Sequence, residues 1–396
     1  MTTQEIVQLE DRYQLPTYKK IPIALVRGEG SYVWDAEGRQ YLDYYGGHCV
    51  TMLGHSPRPV VEAIQRQAET MLFYSNVVYS DVRARAAALL AEMAPAGLQH
   101  VFFCNSGTEA NETALKLARK FTGKSVIIST EGGFHGRTLG SLAVTWTPSY
   151  RAPYLDALAE TVFVPFGDAE TVERVLTERG DVAAVIVEPI QSMAGISDAP
   201  AAYFQALRKA CDASGAMLVF DEVQTGVGRT GTFSISEQFG IRPDLISLAK
   251  SLGSGVPVGA VLASDEVAAS IAFGDQGTTF GGGMLAMAAV EATLRMIRDD
   301  GLMARAPEIF ERIREGVQSI VAEVRGRGCL IGLKLHEKVA SVIPALRQRG
   351  VLTGGSDDPN VLRVMPPLTT TDAEIDAFLE AFEASVRQAT AAAVTT

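Results

Sequence analysis

Leu245-Ile246-Ser247-Leu248-Ala249-Lys250 is a short apolar run that ends on a lysine and a glycine-rich turn, Ser251-Leu252-Gly253-Ser254-Gly255. Consecutive apolar positions over so few residues mark a strand buried on both faces. The chain has five counterparts, at 100–104, 125–130, 183–188, 216–221 and 259–263. Amphipathic stretches at 109–120, 169–179 and 201–214 lie between them. Doubly buried strands alternating with helices predict an α/β fold with a mostly parallel sheet covered on both sides. Ligands of such sheets sit beyond the carboxyl ends of the strands.

The ends of the chain read differently. Residues 29–45 alternate apolar and polar around Glu37-Gly38, the pattern of a β-hairpin. From about Leu285 a long helical region is expected to reach about Val324. A strand at 329–335, a helix at 339–349, strands near Val351 and at 362–364, and a final helix at 372–387 follow. This divides the chain into an N-terminal segment, 1–48, a large domain, 49–285, and a C-terminal small domain, 286–396, with the two ends forming one α+β lobe.

At 396 residues the chain is long enough for two such units. Its 47% hydrophobic and 20% charged content is that of a globular protein. A net charge of −11 repels phosphate backbones and argues against a nucleic-acid partner. Cys49, Cys104, Cys211 and Cys329 form no CxxC pair and read as small buried residues in a reducing compartment. The five histidines lack zinc-ligand spacing. The polar, acidic N-terminus resembles no targeting peptide, and no apolar run nears the roughly 18 residues that span a bilayer. A cytoplasmic enzyme free of the membrane is expected.

The chemistry collects at strand ends. Asp221 and Glu222 follow one apolar strand and Lys250 another. A lysine between a buried strand and a glycine-rich turn loses water, so its pKa falls and it becomes nucleophilic towards a carbonyl. Asn105-Ser106-Gly107-Thr108-Glu109 opens a helix, where free N–H groups suit a phosphate, although Ser106 and Thr108 equally suit plain capping. Gly133-Phe134-His135-Gly136-Arg137 joins an aromatic ring to an arginine. These are packing and surface residues, or a pair that stacks on a flat ring and holds a carboxylate. Gly226-Val227-Gly228-Arg229-Thr230-Gly231 spells G-x-G-x-x-G, but it neither follows a strand directly nor opens a helix, as dinucleotide binding requires.

NSGTEANE, GFHGRT, EPIQ, FDEVQTGVGRTG and AKSLGSGVPVGA occur in that order. Together they resemble the class III pyridoxal-phosphate aminotransferases of the fold type I group, over nearly the whole chain, and most of all the acetylornithine and ornithine aminotransferase-like branch. The resemblance implies a seven-stranded, mostly parallel central sheet with a smaller α+β domain. It implies pyridoxal 5′-phosphate as cofactor, carried as a Schiff base by Lys250, which then shuttles a proton. It further implies Asp221 at the pyridine nitrogen, Gln224 at the ring hydroxyl, Phe134 and Val223 on the ring faces, and Glu188 close by. Ser106, Gly107 and Thr108 are then the phosphate site, joined by Thr279 from the neighbouring subunit of a homodimer. Arg137 and Arg363 resemble carboxylate binders, and Tyr18 a substrate contact.

Three positions depart from the family. Met193 stands where many relatives have a glutamate that neutralises the counterpart of Arg363. Gly281-Gly282-Gly283-Met284 replaces GGNP, and His48 occupies a substrate-pocket position. The implied reaction moves the terminal amine of an N-blocked ω-amino acid, N2-acetylornithine or a lysine-pathway analogue, to 2-oxoglutarate by a ping-pong cycle. The alternatives are an ω-amine transaminase (4-aminobutyrate or β-alanine, with pyruvate) and, further off, a mutase or decarboxylase.

Overall fold

The computed structural model describes residues 1–394. Its centre is a seven-stranded sheet: β1 (His100–Cys104), β2 (Val126–Thr130), β3 (Thr161–Val164), β4 (Val182–Val187), β5 (Met217–Asp221), β6 (Leu245–Leu248) and β7 (Gly259–Ala263). Their order across the sheet is β1-β7-β6-β5-β4-β2-β3. Only β7 runs antiparallel to its neighbours. Every residue of β2, β4, β5, β6 and β7 is buried, as strands with helices on both faces require. Strand β3, missing from the run-by-run reading, is the sheet edge. Three of its four residues are only partly buried, so it lacks the fully apolar signature of the others.

The helix Gly107–Thr122 starts at the carboxyl end of β1 and packs Ala110, Ala114 and Leu117 against the sheet. It stops at Gly123, which takes the left-handed conformation (φ +67°) that ends helices without steric cost.

The hairpin expected at 29–45 is present as Tyr32–Asp35 and Gln40–Asp43, with Gly38 at φ +83°. A preceding strand, Leu25–Glu29, and the distant Val351–Leu352 complete a four-stranded sheet. A second small sheet joins Glu323–Arg327, Leu330–Lys334 and Val361–Val364. Here one expectation is corrected. The helical region does not run on to Val324. It is two helices, Met284–Asp299 and Arg305–Val317, separated by Gly301 at φ +62°, and Glu323–Arg327 is a strand. The segment Glu-Val-Arg-Gly-Arg shows no apolar alternation. Its pairing with Leu330–Lys334, a tertiary effect, sets its conformation. The closing helix, Asp372–Val394, packs Phe378 on Tyr44, with ring centroids 5.1 Å apart. The four cysteines are buried and unpaired, and no helix of the described residues is long and apolar enough to cross a membrane.

Candidate active site

The loops leaving β1, β2, β4, β5 and β6 converge on one cavity of about 430 Å³. It is lined by Ser106, Gly107, Thr108, Phe134, Arg137, Glu188, Asp221, Val223, Gln224 and Lys250, ten of the fourteen residues singled out from the sequence. A larger cavity, about 650 Å³, lies under the N-terminal arm and is lined by Tyr18, Tyr45 and His55. It holds neither Lys250 nor Asp221, so the chemistry belongs to the smaller one.

Lys250 begins a short 3-10 turn at the end of β6 with φ +39°, a conformation that side chains other than glycine rarely adopt. Such strain persists only where the surroundings over-determine it, commonly at active sites. Burial lowers its pKa. The nearby Cys49, Asp221 and Glu188 oppose the shift, and Arg363 adds to it. Asp221, at the end of β5, is fixed on three sides. Its Oδ2 accepts from Asn111 Nδ2 (2.7 Å) and His135 Nδ1 (2.8 Å), and its Oδ1 from the Val223 amide (3.1 Å). Asn111 is held in turn by Ser247 Oγ, 2.6 Å from its Oδ1. Glu188 Oε1 accepts from the Phe134 amide at 2.7 Å. Burial lifts its pKa to about 7, with the His135 ring opposing and the Asp221 carboxylate reinforcing the rise.

At the other end, Ser106 caps the helix Gly107–Thr122 by accepting from the Glu109 amide. The amides of Gly107 and Thr108 then have no intrahelical acceptor, which is the geometry of an anion site. The Thr108 hydroxyl bonds Thr138 and Ser141. Gly107 must be glycine, because a Cβ would lie 2.9 Å from both methyls of Val223. The Gln224 Oε1 is buried with no hydrogen-bond partner.

Arg363 is 2% exposed. Its guanidinium donates to Gly355 O (2.6 Å), Ser192 Oγ (3.3 Å), Met193 Sδ (3.2 Å) and Tyr45 OH (3.2 Å). Among the described residues no carboxylate lies within ion-pair distance of it, and the thioether of Met193 is a poor acceptor. Tyr45 OH also makes a short hydrogen bond to His48 Nδ1. With Arg363 donating to the phenol oxygen, the Tyr45 O–H is free to donate to His48 Nδ1, an arrangement that a neutral imidazole with its proton on Nε2 completes. Burial, with help from Arg363 and Lys250, pushes the His48 pKa down to about 4.

His48, Arg363, Tyr18 and Thr279 do not line the Lys250 cavity. Tyr18 is 82% exposed, and Thr279 sits on an exposed loop. Asn111, His135 and Tyr45 were assigned no role from sequence. His135 stands in the GFHGRT motif and Asn111 in NSGTEANE, whereas Tyr45 carries no local signal.

A buried acid, a helix N-terminus, an unsatisfied amide oxygen and a desolvated lysine around one slot fit pyridoxal phosphate. The family model of aminotransferase class III matches residues 13–386, and this chain belongs to that family. It is a pyridoxal-phosphate-dependent aminotransferase. The chain is 47% identical to the acetylornithine aminotransferase of Methanopyrus kandleri over 83% of this chain and 85% of that one. It is 40% identical to that of Methanosarcina acetivorans over 96% and 95%. Among solved structures, an ornithine aminotransferase from Toxoplasma gondii superposes with a TM-score of 0.92 at 28% identity, covering 98% and 96% of the two chains.

Proposed function

We propose that this aminotransferase takes the terminal amino group from an N-blocked ω-amino acid of the N2-acetylornithine type and delivers it to a 2-oxo acid such as 2-oxoglutarate. The observation that carries the reading is Arg363, a buried cation with no carboxylate partner beside the lysine cavity, which suits a substrate carboxylate. Names of the relatives point the same way.

When bound, pyridoxal phosphate supplies an electron sink for the carbon that carries the amine. Lys250, its pKa lowered by burial, would hold the cofactor through its amine and would carry the proton at that carbon. Asp221, anchored by Asn111 and His135, keeps a proton on the ring nitrogen. Gln224 would meet the ring hydroxyl, Phe134 and Val223 would flank the ring, and Glu188 orients the Phe134 loop. Ser106, Gly107 and Thr108 hold the phosphate. Arg363 and the exposed Arg137, whose guanidinium stacks 3.3 Å from the Tyr150 ring centroid, hold substrate carboxylates. His48 and Tyr18 contribute further substrate contacts.

The enzyme works as a homodimer in which Thr279 reaches the phosphate of the neighbouring subunit, and it resides in the cytoplasm. An exposed apolar stretch at 71–79, beside Phe280, supports the dimer. There Leu72, Val77 and Tyr79 are at least 60% exposed, and the Phe73 and Phe280 rings lie 5.2 Å apart.

A second reading is favoured by Met193. With no acid to screen Arg363, the site favours a donor whose own carboxylate reaches that guanidinium, and 4-aminobutyrate or β-alanine gains relative weight. One experiment separates the two. The holoenzyme is mixed with single amines and no acceptor, and loss of the visible cofactor band is followed. Fast bleaching by N2-acetylornithine alone supports the first reading. Bleaching by β-alanine or 4-aminobutyrate, with N2-acetylornithine inert, supports the second.

A further inference from the structure

The turn 226–231, set aside as a nucleotide motif, reaches from the Asp221–Gln224 segment into the C-terminal lobe. Val227 sits at φ +63°, an outlier for a β-branched residue, and its amide closes the turn on Phe233 O at 2.7 Å. This conformation delivers Arg229 to a fully buried position. Its backbone carbonyl accepts from the Cys329 amide (2.9 Å), and its Nη1 donates to Pro366 O (2.7 Å) and Cys329 O (3.4 Å). Nε and Nη2 are buried without partners, and no carboxylate of the described residues pairs with the charge.

A guanidinium in this state works against stability. Charges taken out of water need full pairing, and an apolar side chain of similar volume fills such a space at lower cost. Packing therefore does not account for the residue, whereas the segment it grips does. Pro366 lies three residues after Arg363. Met365, between them, donates its amide to Tyr44 O at 2.6 Å, and its carbonyl lies 2.6 Å from where a Cβ on Gly46 would stand. The turn presenting Tyr45 and His48 thus leans on Met365 and Arg363.

We propose that Arg229 is a positioning residue for the carboxylate site. By holding Pro366 O from the cofactor-side turn, it fixes the segment that carries Arg363 and, through Met365, the turn that carries Tyr45. The proposal rests on the reading of Arg363 as a carboxylate binder.

The test uses the holoenzyme and three variants, Arg229→Met, Arg229→Lys and Arg363→Gln. It measures kcat and KM for the 2-oxo acid acceptor, thermal midpoint and the visible cofactor band. Arg229→Met should keep the band and a midpoint equal to or above that of the parent, while acceptor KM rises roughly tenfold to a hundredfold, the range expected of a misplacement near 1 Å. Arg229→Lys, which keeps one donor for Pro366 O, should show a KM between those of the parent and Arg229→Met. If Arg229→Met fails to fold, Arg229→Lys decides alone through its own rise in KM. An unchanged acceptor KM in the folded Arg229 variants, with Arg363→Gln raising it, overturns the positioning role and leaves the carboxylate reading standing. An unchanged KM in Arg363→Gln overturns both.

Discussion

Two residues carry the sharpest expectations. Lys250 combines a strained backbone with a depressed pKa, and both serve an amine that reacts unprotonated. Lys250→Ala should lower turnover by at least ~10²-fold, the scale of a lost general base, while the Asp221 and Gly107 ends still retain cofactor noncovalently. Turnover, and cofactor remaining after dialysis, check this. Wild-type turnover would remove Lys250 from the chemistry. His48 is the second residue. Its ring titrates near pH 4 in the folded protein, against about 6.5 for an unfolded histidine. Between those values the unfolded chain binds more protons, so the stability tied to neutral His48 is lost as pH falls from 6.5 towards 4. A histidine NMR titration should give a midpoint near 4, and a midpoint near 6.5 would mean the Arg363–Tyr45–His48 chain is not formed.

Among the elements, the turn at Gly46–Cys49 is the most demanding. Four successive residues have positive φ: Gly46 +59°, Gly47 +55°, His48 +67° and Cys49 +66°. Asp43 holds them there. Its carboxylate accepts from the amides of Tyr45, Gly46 and Gly47 and from His55 Nε2. Gly46→Ala would add both left-handed strain and a collision with Met365 O, so we expect a loss of about 2 kcal/mol or more in unfolding free energy. Acceptor KM should rise as well, since Tyr45 and His48 ride on this turn. Chemical denaturation and steady-state kinetics measure the two effects. A silent Gly46→Ala would show that the turn is not constrained.

For the whole molecule the question is shared sites. If Thr279 serves the partner's cavity, Lys250→Ala and Thr279→Ala chains should complement each other. A mixed dimer regenerates one site with both residues intact. Co-refolded mixtures should recover activity well above either variant alone, with light scattering reporting a dimer. Recovery no greater than the sum of the parts would place Thr279 outside the partner's site.

The strands β2, β4, β5 and β6 were legible because a doubly buried strand must be apolar at every position, and Lys250 and Asp221 because they follow such strands directly. Ser106, Gly107 and Thr108 were legible as a helix start. Strand β3 and the strand Glu323–Arg327 escaped, one as a half-covered edge and the other because only its partner strand makes it extended. Of the residues around Arg363, Met193 was marked by its departure from the family motif, and the others lay beyond any local pattern. Ser192, Met193, Tyr45 and Gly355 meet there from separate stretches of chain, and no periodicity records which neutral groups will surround a buried charge. Sequence by itself determined the sheet, the lysine and the acid, because burial and strand ends are local properties. Only tertiary structure decided which neutral groups surround Arg363, that burial pushes the His48 pKa down and that Arg229 bonds both the Cys329 and the Pro366 segments. Each of these depends on distances between segments far apart in the chain.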